Sequence, residues 1–405
     1  MTTHIHNVRI FNGDIVIEGS SVTIDEDRIV AIGGSAPEGA TSVDGHAGTL
    51  LPGLIDSHVH TSVDALRVAL SFGVTTELEM QGFWTREQRA EIAADPTSAD
   101  VRSALLALMA KDGHPSELIE TMNEDERPGG GEGWVMPSVS TPDEAVRHVN
   151  AMAAAGADYI KVMIEEGTLM GHPGLPMIDT ASLRSGVAEA HRLGLKVIAH
   201  AITYDATVQA IDIGVDGLAH LFIDRPADDD IVAAIRDAGI FVTPCLVISR
   251  SLLGATAAEL AADARVKDTL SAQWVETLRG SFNAYPHGDR DLPRRNVQAM
   301  HAAGIEILAG TDASVPVPSH GGVAHGVSVH HELRLLVEAG LSPIEALRSA
   351  TTVPSRLFGL DDRGRIAVGA RADLVLVDGD PTTSIDDTLN IRDIWRSGHA
   401  VPRAR

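Results

Sequence analysis

A single cysteine, Cys245, leaves the chain without any internal disulfide and suits a reducing compartment. Basic residues are outnumbered by acidic ones, 32 against 56, and the formal charge of -24 repels nucleic acid and anionic membrane surfaces, so both are set aside as partners. The opening "MTTHIHNVRIFNGDIVIEG" has neither the basic nor the apolar segment of a signal peptide, and no run of about 18 apolar residues could span a bilayer. These absences predict a soluble, cytoplasmic protein. Aromatic residues are only 3% of the chain, yet 44% of the 405 residues are hydrophobic, enough for one large domain of α/β type with an appendage.

The first fifty residues alternate short β runs with turn signals, as in "HIHNVRIFNG", "DIVIEGSSVTID" and "RIVAIGG". From Leu51 the apolar runs become continuous, the texture of strands buried on both faces. Eight of them are separated by helical stretches: "TLLPGLID", "GVTTELEM", "RSALLALMA", "DYIKVMI", "LKVIAH", "DGLAHLF", "GIFVTPCLVI" and "IEILAGTD". That alternation predicts a (β/α)8 barrel over residues 51–361. "TPDEAVRHVNAMAAAGA" carries the helix signals, with Thr141 as N-cap, Pro142 in the first turn, Glu144 completing a capping box and Gly156 as the stop. Insertions at 81–100 and 248–295 are either substrate-binding loops of the barrel or plain structural excursions. β texture returns in "GRIAVGARADLVLVDGD" and "IRDIWRSGHAV", and residues 1–50 and 362–405 are expected to pair into one small β-sandwich.

In a parallel barrel the active site lies at the carboxyl ends of the strands, which makes the residue where each run stops a candidate. The first run delivers His58 and His60, which share a face at i and i+2. The fourth contains Lys161, the fifth ends at His200, the sixth at His220 and the eighth at Asp312. One buried histidine is more often a hydrogen-bonded core residue than a ligand. Repetition at successive strand ends is different, because neutral imidazole and carboxylate hold borderline ions such as zinc, and the set predicts a metal centre. Lys161 has two readings: an ion pair with Glu165 or Glu166, or a carbamate formed with carbon dioxide whose two oxygens bridge two ions.

Together these residues resemble the amidohydrolase superfamily over nearly the whole chain. "PGLIDSHVHT" is similar to its first-strand HxH motif, "LAGTD" to its eighth-strand ending, and "GRIAVGARADLVLVDGDP" to the entry into its carboxyl-terminal sandwich. "GADYIKVM" resembles the branch of Xaa-Pro and Xaa-Arg dipeptidases, ochratoxin-type amidases and imidazolonepropionase-like proteins. The resemblance implies a distorted (β/α)8 barrel with a β-sandwich from both ends, and a binuclear centre of divalent ions, zinc being expected. His58, His60 and Asp312 would hold one ion, His200 and His220 the other, and carboxylated Lys161 would bridge. "DGHPSEL" resembles the loop after the third strand and implies His114 near the substrate; "SVHHELRLLVEAGLSPIEALRSAT" resembles the segment after the eighth strand and brings in His330 and Glu332. The chain departs from the pattern too. Dipeptidases of this branch place a tyrosine where Ile202 stands, with Tyr204 further on; Cys245 replaces a frequent threonine; and no arginine set for a peptide carboxylate is evident, although Arg225 and Arg250 follow the sixth and seventh strands.

The implied chemistry is hydrolysis of an amide-type C–N bond in a small molecule. Two cations sharing a water lower its pKa from about 15.7 towards neutrality, and the bridging hydroxide attacks the carbonyl while Asp312 moves the proton. His114 would steady the oxyanion or grip the substrate, with Tyr204 and His330 as further substrate-side residues; Trp84, Met170 and His172 would line an apolar pocket. The alternatives are a mononuclear deaminase or imidazolone-type hydrolase, a carbamate, ester or lactone hydrolase on the same centre, and a non-catalytic barrel with a structural zinc. Homo-oligomers are compatible with uncovered barrel helices.

Overall fold

The structure, a computed structural model, describes residues 1–120 and 137–402. The continuous apolar runs become short parallel strands with every residue buried, as in Leu54–Val59, Val74–Glu79, Ile160–Met163 and Val197–His200. Leu54–Val59, Val74–Glu79 and Asp100–Ser103 form one parallel sheet; Ile160–Met163, Val197–His200, Gly217–Ala219 and Phe241–Thr243 form another, in sequence order. Backbone hydrogen bonds join the edges. Leu108 N–H donates to Lys161 O at 2.8 Å and Met163 N–H to Leu108 O at 3.0 Å. At the other edges Leu308 N–H reaches Val242 O at 2.9 Å, Ser57 N–H reaches Ala309 O at 2.9 Å and His60 N–H reaches Ala313 O at 2.8 Å. The third expected run is therefore strand only at its start, and the eighth is irregular chain held by single parallel bridges. Positive φ at Leu105 (56°) and Asp312 (59°) breaks the pleat in both.

The helices start where the sequence offers an acceptor. Thr141 Oγ1 accepts from Glu144 N–H, and Gly156, at φ 91°, closes Pro142–Ala155 in the left-handed conformation that a side chain would resist. The Glu144 carboxylate turns to Ser140 N–H instead of the Thr141 amide, so the expected capping box is half made. Asp179, Thr203 and Asp228 cap Thr180–Arg192, Tyr204–Ile213 and Asp229–Asp237 in the same way. Both insertions carry helices of their own: Arg86–Ala94 in the first, Ala258–Ala262, Ala264–Lys267 and Ala272–Arg279 in the second. Among the described residues no helix is long and apolar enough to cross a membrane.

Two further sheets come from the ends of the chain. One orders Arg28–Ile32, Ser21–Asp25, Thr3–His6 and Thr41–Asp44. The other sets Leu374–Val377 between Ile391–Arg396 and Thr49–Pro52, so residues 51 and 52 belong with the terminal sheets and the first barrel-like strand begins at Leu54. Ile5, Ile24 and Ile29 of one sheet share a hydrophobic cluster with Ile10, Leu376 and Trp395 of the other.

Candidate metal centre

Each carboxyl-terminal strand end brings its polar residue to one place. His58 Nε2 and His60 Nε2 lie 3.3 and 3.1 Å from Asp312 Oδ1, and His220 Nε2 lies 3.6 Å from Asp312 Oδ2. The His200 ring stands 4.8 Å from that of His220, centroid to centroid, and the His58 ring is equally close to His220. Among the described residues two donor groups could hold an ion: His58, His60 and Asp312, and His58, His220 and Cys245.

The backbone that aims these groups is unusual. Asp312 (φ 59°), His220 (φ 77°) and Cys245 (φ 48°) all adopt left-handed conformations, each costing about 1–3 kcal/mol in a non-glycine residue. Asp56 fastens two of the strand ends: its carboxylate accepts from His58 N–H at 3.2 Å, Thr311 N–H at 3.0 Å and Thr311 Oγ1–H at 2.6 Å. Asp312 N–H then donates to His58 O at 2.7 Å. Beneath them Glu79 accepts from Gln81 N–H and Ser103 Oγ–H, and Glu77 meets His325 Nδ1 at 2.8 Å while His325 Nε2 reaches Ser314 O. Cys245 Sγ, 3.5 Å from both, faces His58 Nδ1 and Thr243 O. With the thiol proton directed at Thr243 O, the sulfur is left to accept from Nδ1, which keeps the Nε2 lone pair towards Asp312.

Electrostatics put His58, His200 and His220 in the form that binds metal; burial would lower His60 too, but the Asp312 carboxylate beside it outweighs burial and raises that imidazole above its ordinary value. Burial lowers His58 and His200 well below the ordinary histidine range, Lys161 and neighbouring imidazoles adding to the effect, and it brings His220 to about 3. Burial would raise Asp312, but His60 and His220 outweigh it and hold the carboxyl below its ordinary value. Burial pulls Lys161 down to about 8 against the attraction of Asp312, Cys245 and Glu79, and raises Glu79 to about 7. The Lys161 side chain is 1% exposed and its Nζ has no hydrogen-bond partner among the described residues. Buried imidazoles, three of them held neutral, beside a carboxylate are a donor set that fits a divalent ion, and the orphaned Lys161 amine lies in the same buried floor.

The other expected residues divide. His114 lines the cavity over the centre; its ring lies 4.5 Å from that of His200, and Glu117 Oε1 is 2.6 Å from its Nδ1. Lys161 does not pair with Glu165 or Glu166: Glu165 Oε2 lies 3.3 Å from His200 Nε2 and Glu166 accepts from Thr168. Tyr204 is turned away, its hydroxyl on Asp228 and Arg225 4.4 Å over its ring, because it opens a helix whose first turn faces that acidic cap. His330 Nε2 bonds Phe72 O at 2.9 Å within helix Val327–Glu338, and His172 is outside the lining. Trp84 and Met170 do line the cavity, whose volume is about 660 Å³. Glu77, Glu79, Glu117 and His325 carry no role in the sequence reading; the one available signal was a pair of glutamates two residues apart inside the otherwise apolar "GVTTELEM".

Comparison with known proteins agrees with this geometry. The model of the amidohydrolase family matches residues 49–401. An uncharacterized protein of Mycobacterium tuberculosis is 27% identical over 353 residues, covering 82% of this chain and 80% of its own. An allantoinase of Solibacter usitatus is 25% identical over 428 residues, covering 95% and 86%. The crystal structure of a Xaa-Pro dipeptidase with bound methionine superimposes with a TM-score of 0.74 at 22% identity over 99% of both chains, a likeness of fold. The chain belongs to the amidohydrolase family and is an enzyme, a hydrolase of carbon–nitrogen bonds.

Proposed function

We propose that the protein is a metal-dependent hydrolase of an amide-type bond in a small molecule, and that its parallel strands close into a distorted (β/α)8 barrel, residues 54–361, with a β-sandwich made by 1–52 and 362–405. Support for closure comes from the hydrogen bonds that join both pairs of sheet edges through 108 and 306–313. The observation that carries the function is the meeting of His58, His60 and His220 on the single carboxylate of Asp312. His58, His60 and Asp312 would hold one divalent ion, zinc for preference, and His200 and His220 a second, with Lys161 as a carbamate between them. Such ions supply a water of lowered pKa and polarise the scissile carbonyl.

The chain's own groups do the rest. Asp312 takes the proton from water as its oxygen bonds to the carbonyl carbon, then delivers it to the nitrogen as the C–N bond breaks, giving an acid and an amine. His114, held through Nδ1 by Glu117, presents Nε2 to the cavity for the substrate carbonyl oxygen. The partner is a small molecule, the charge of -24 weighing against nucleic acid and anionic membrane; the single cysteine suits a reducing compartment such as the cytoplasm, and homo-oligomers are permitted.

Lys161→Ala is expected to reduce metal content from two ions per chain and to regain part of its activity with short carboxylic acids; two ions retained without rescue would remove the bridge. Asp312→Asn should retain the fold and lower kcat by at least about 100-fold; near-normal turnover would deny Asp312 the proton. One observation favours a mononuclear deaminase or cyclic-amide hydrolase instead, the turn of His200 Nε2 towards Glu165. One ion per chain by elemental analysis would decide for it.

A further inference from the structure

The cavity above the centre is walled by Trp84, Met170, Ile202, Leu252, Trp274 and Phe282. Aromatic residues are 3% of the chain, yet Phe83, Trp84, Trp274 and Phe282 all line this one cavity, a local enrichment suited to an aryl group. The Trp84 indole is 8% exposed, and its Nε1–H has no hydrogen-bond partner among the described residues, a donor that an acceptor on a bound molecule would satisfy. The charge inventory is equally specific. Among the described lining residues the only lysine or arginine is Lys161, at the floor, where the proposed centre employs it. The arginine after the sixth strand, Arg225, is spent on Asp205, Asp224 and the Tyr204 ring. The Asp64 carboxylate at the rim is neutralised by Arg67 at 2.8 Å, but the whole chain carries -24, so an incoming carboxylate meets repulsion on approach and, among the described lining residues, no cation but Lys161.

We infer that the substrate is an uncharged aryl amide, with an aromatic ring against Trp84, Trp274 and Phe282, an acceptor for the Trp84 indole, and no free carboxylate on either side of the scissile bond. This rests on the amide-hydrolase reading and narrows it: dipeptides and N-acyl amino acids, which must present a carboxylate, are poor substrates. Hydrolysis consumes one water, the hydroxyl joining the acyl carbon and the proton the aryl-bearing or alkyl amine.

Two compounds that differ by one carboxylate make the test: N-phenethyl-phenylacetamide and N-phenylacetyl-L-phenylalanine. The zinc-loaded enzyme is expected to favour the neutral one by on the order of 100-fold in kcat/KM. Calorimetric titration of the zinc-loaded Asp312→Asn protein reads binding without turnover, and Trp84→Phe, which keeps an aromatic ring and deletes the N–H, should weaken the neutral ligand about tenfold at unchanged metal content. Hydrolysis of the acid as fast as the amide would overturn the inference and leave the hydrolase reading standing. Tight, selective binding of the neutral compound without hydrolysis would do the reverse. Failure of both compounds to bind, or equal binding to Trp84→Phe, would also overturn it.

Discussion

At the scale of single residues the site depends on close approach. Gly310 lets the segment before Asp312 lie directly on the first strand: a Cβ there would stand 2.4 Å from Thr243 Cγ2 and 3.0 Å from the His58 amide nitrogen. Backbone cannot yield as a flexible side chain can, so Gly310→Ala must push His58 away from Asp312 and disturb the Asp56 to Thr311 fastening as well. The expected result is a folded protein whose affinity for zinc falls about 10- to 100-fold, the usual penalty for losing the support of a ligand. Chelator competition measures it, and wild-type affinity would mean that the two strand ends can part without moving the ligands. Cys245 belongs to the same support, through the face of His58 that points away from Asp312.

The elements around the centre hold one another by groups that are far apart in sequence. Helix Leu246–Leu252 begins at Cys245, which makes no side-chain cap. Its first amides are satisfied from helix Val327–Glu338 instead: Leu246 N–H and Val247 N–H each donate to a Glu332 oxygen at 2.9 Å. Glu332→Gln keeps the volume but turns an NH2 group towards one of these donors, and about 1–3 kcal/mol of stability should be lost in urea unfolding. KM should rise, since Ile248 and Leu252 of that helix line the cavity; an unchanged midpoint would show the amides satisfied another way. Such partnerships mark the limit of what the sequence discloses. His58, His60, Lys161, His200, His220 and Asp312 are legible because each interrupts or ends an apolar run, a local signal. Glu77 with His325, 248 residues apart, depends on register between distant elements, and the orientation of His200 towards Glu165 depends on a loop conformation. Likewise Leu105 and Asp312 break their strands at positive φ without a glycine to announce it. The turned-away Tyr204 follows from its place in a helix start, where the Asp228 cap competes for the hydroxyl.

For the molecule as a whole, the terminal sheets and the parallel strands are joined by a buried ionic network at the amino-terminal side of the strands. Asp100, fully buried at the start of its strand, meets Arg363, Arg371 at 3.3 Å and Arg102 at 3.5 Å; Asp373 pairs with Arg371 and, at 3.5 Å, with Arg396, which also donates to Ser98 O. Burial alone would raise the Asp100 carboxyl, but the guanidinium groups of Arg363, Arg102 and Arg371 overcome it and hold its pKa far below the ordinary value. A carboxyl depressed on folding stabilises the native state fully above its unfolded pKa, about 3.9, and loses that contribution as pH falls below it towards the folded value. Asp100→Asn leaves arginines buried without their counter-charge, and about 3–5 kcal/mol should be lost at pH 7. Because protonation of the wild type removes the same charge, the gap between the two proteins should stay level from pH 7 to about pH 5 and narrow below about pH 4. Urea titrations across that range read both, and a gap that persisted undiminished into acid would mean that Asp100 is not the group whose protonation weakens the joint between the terminal sheets and the catalytic strands.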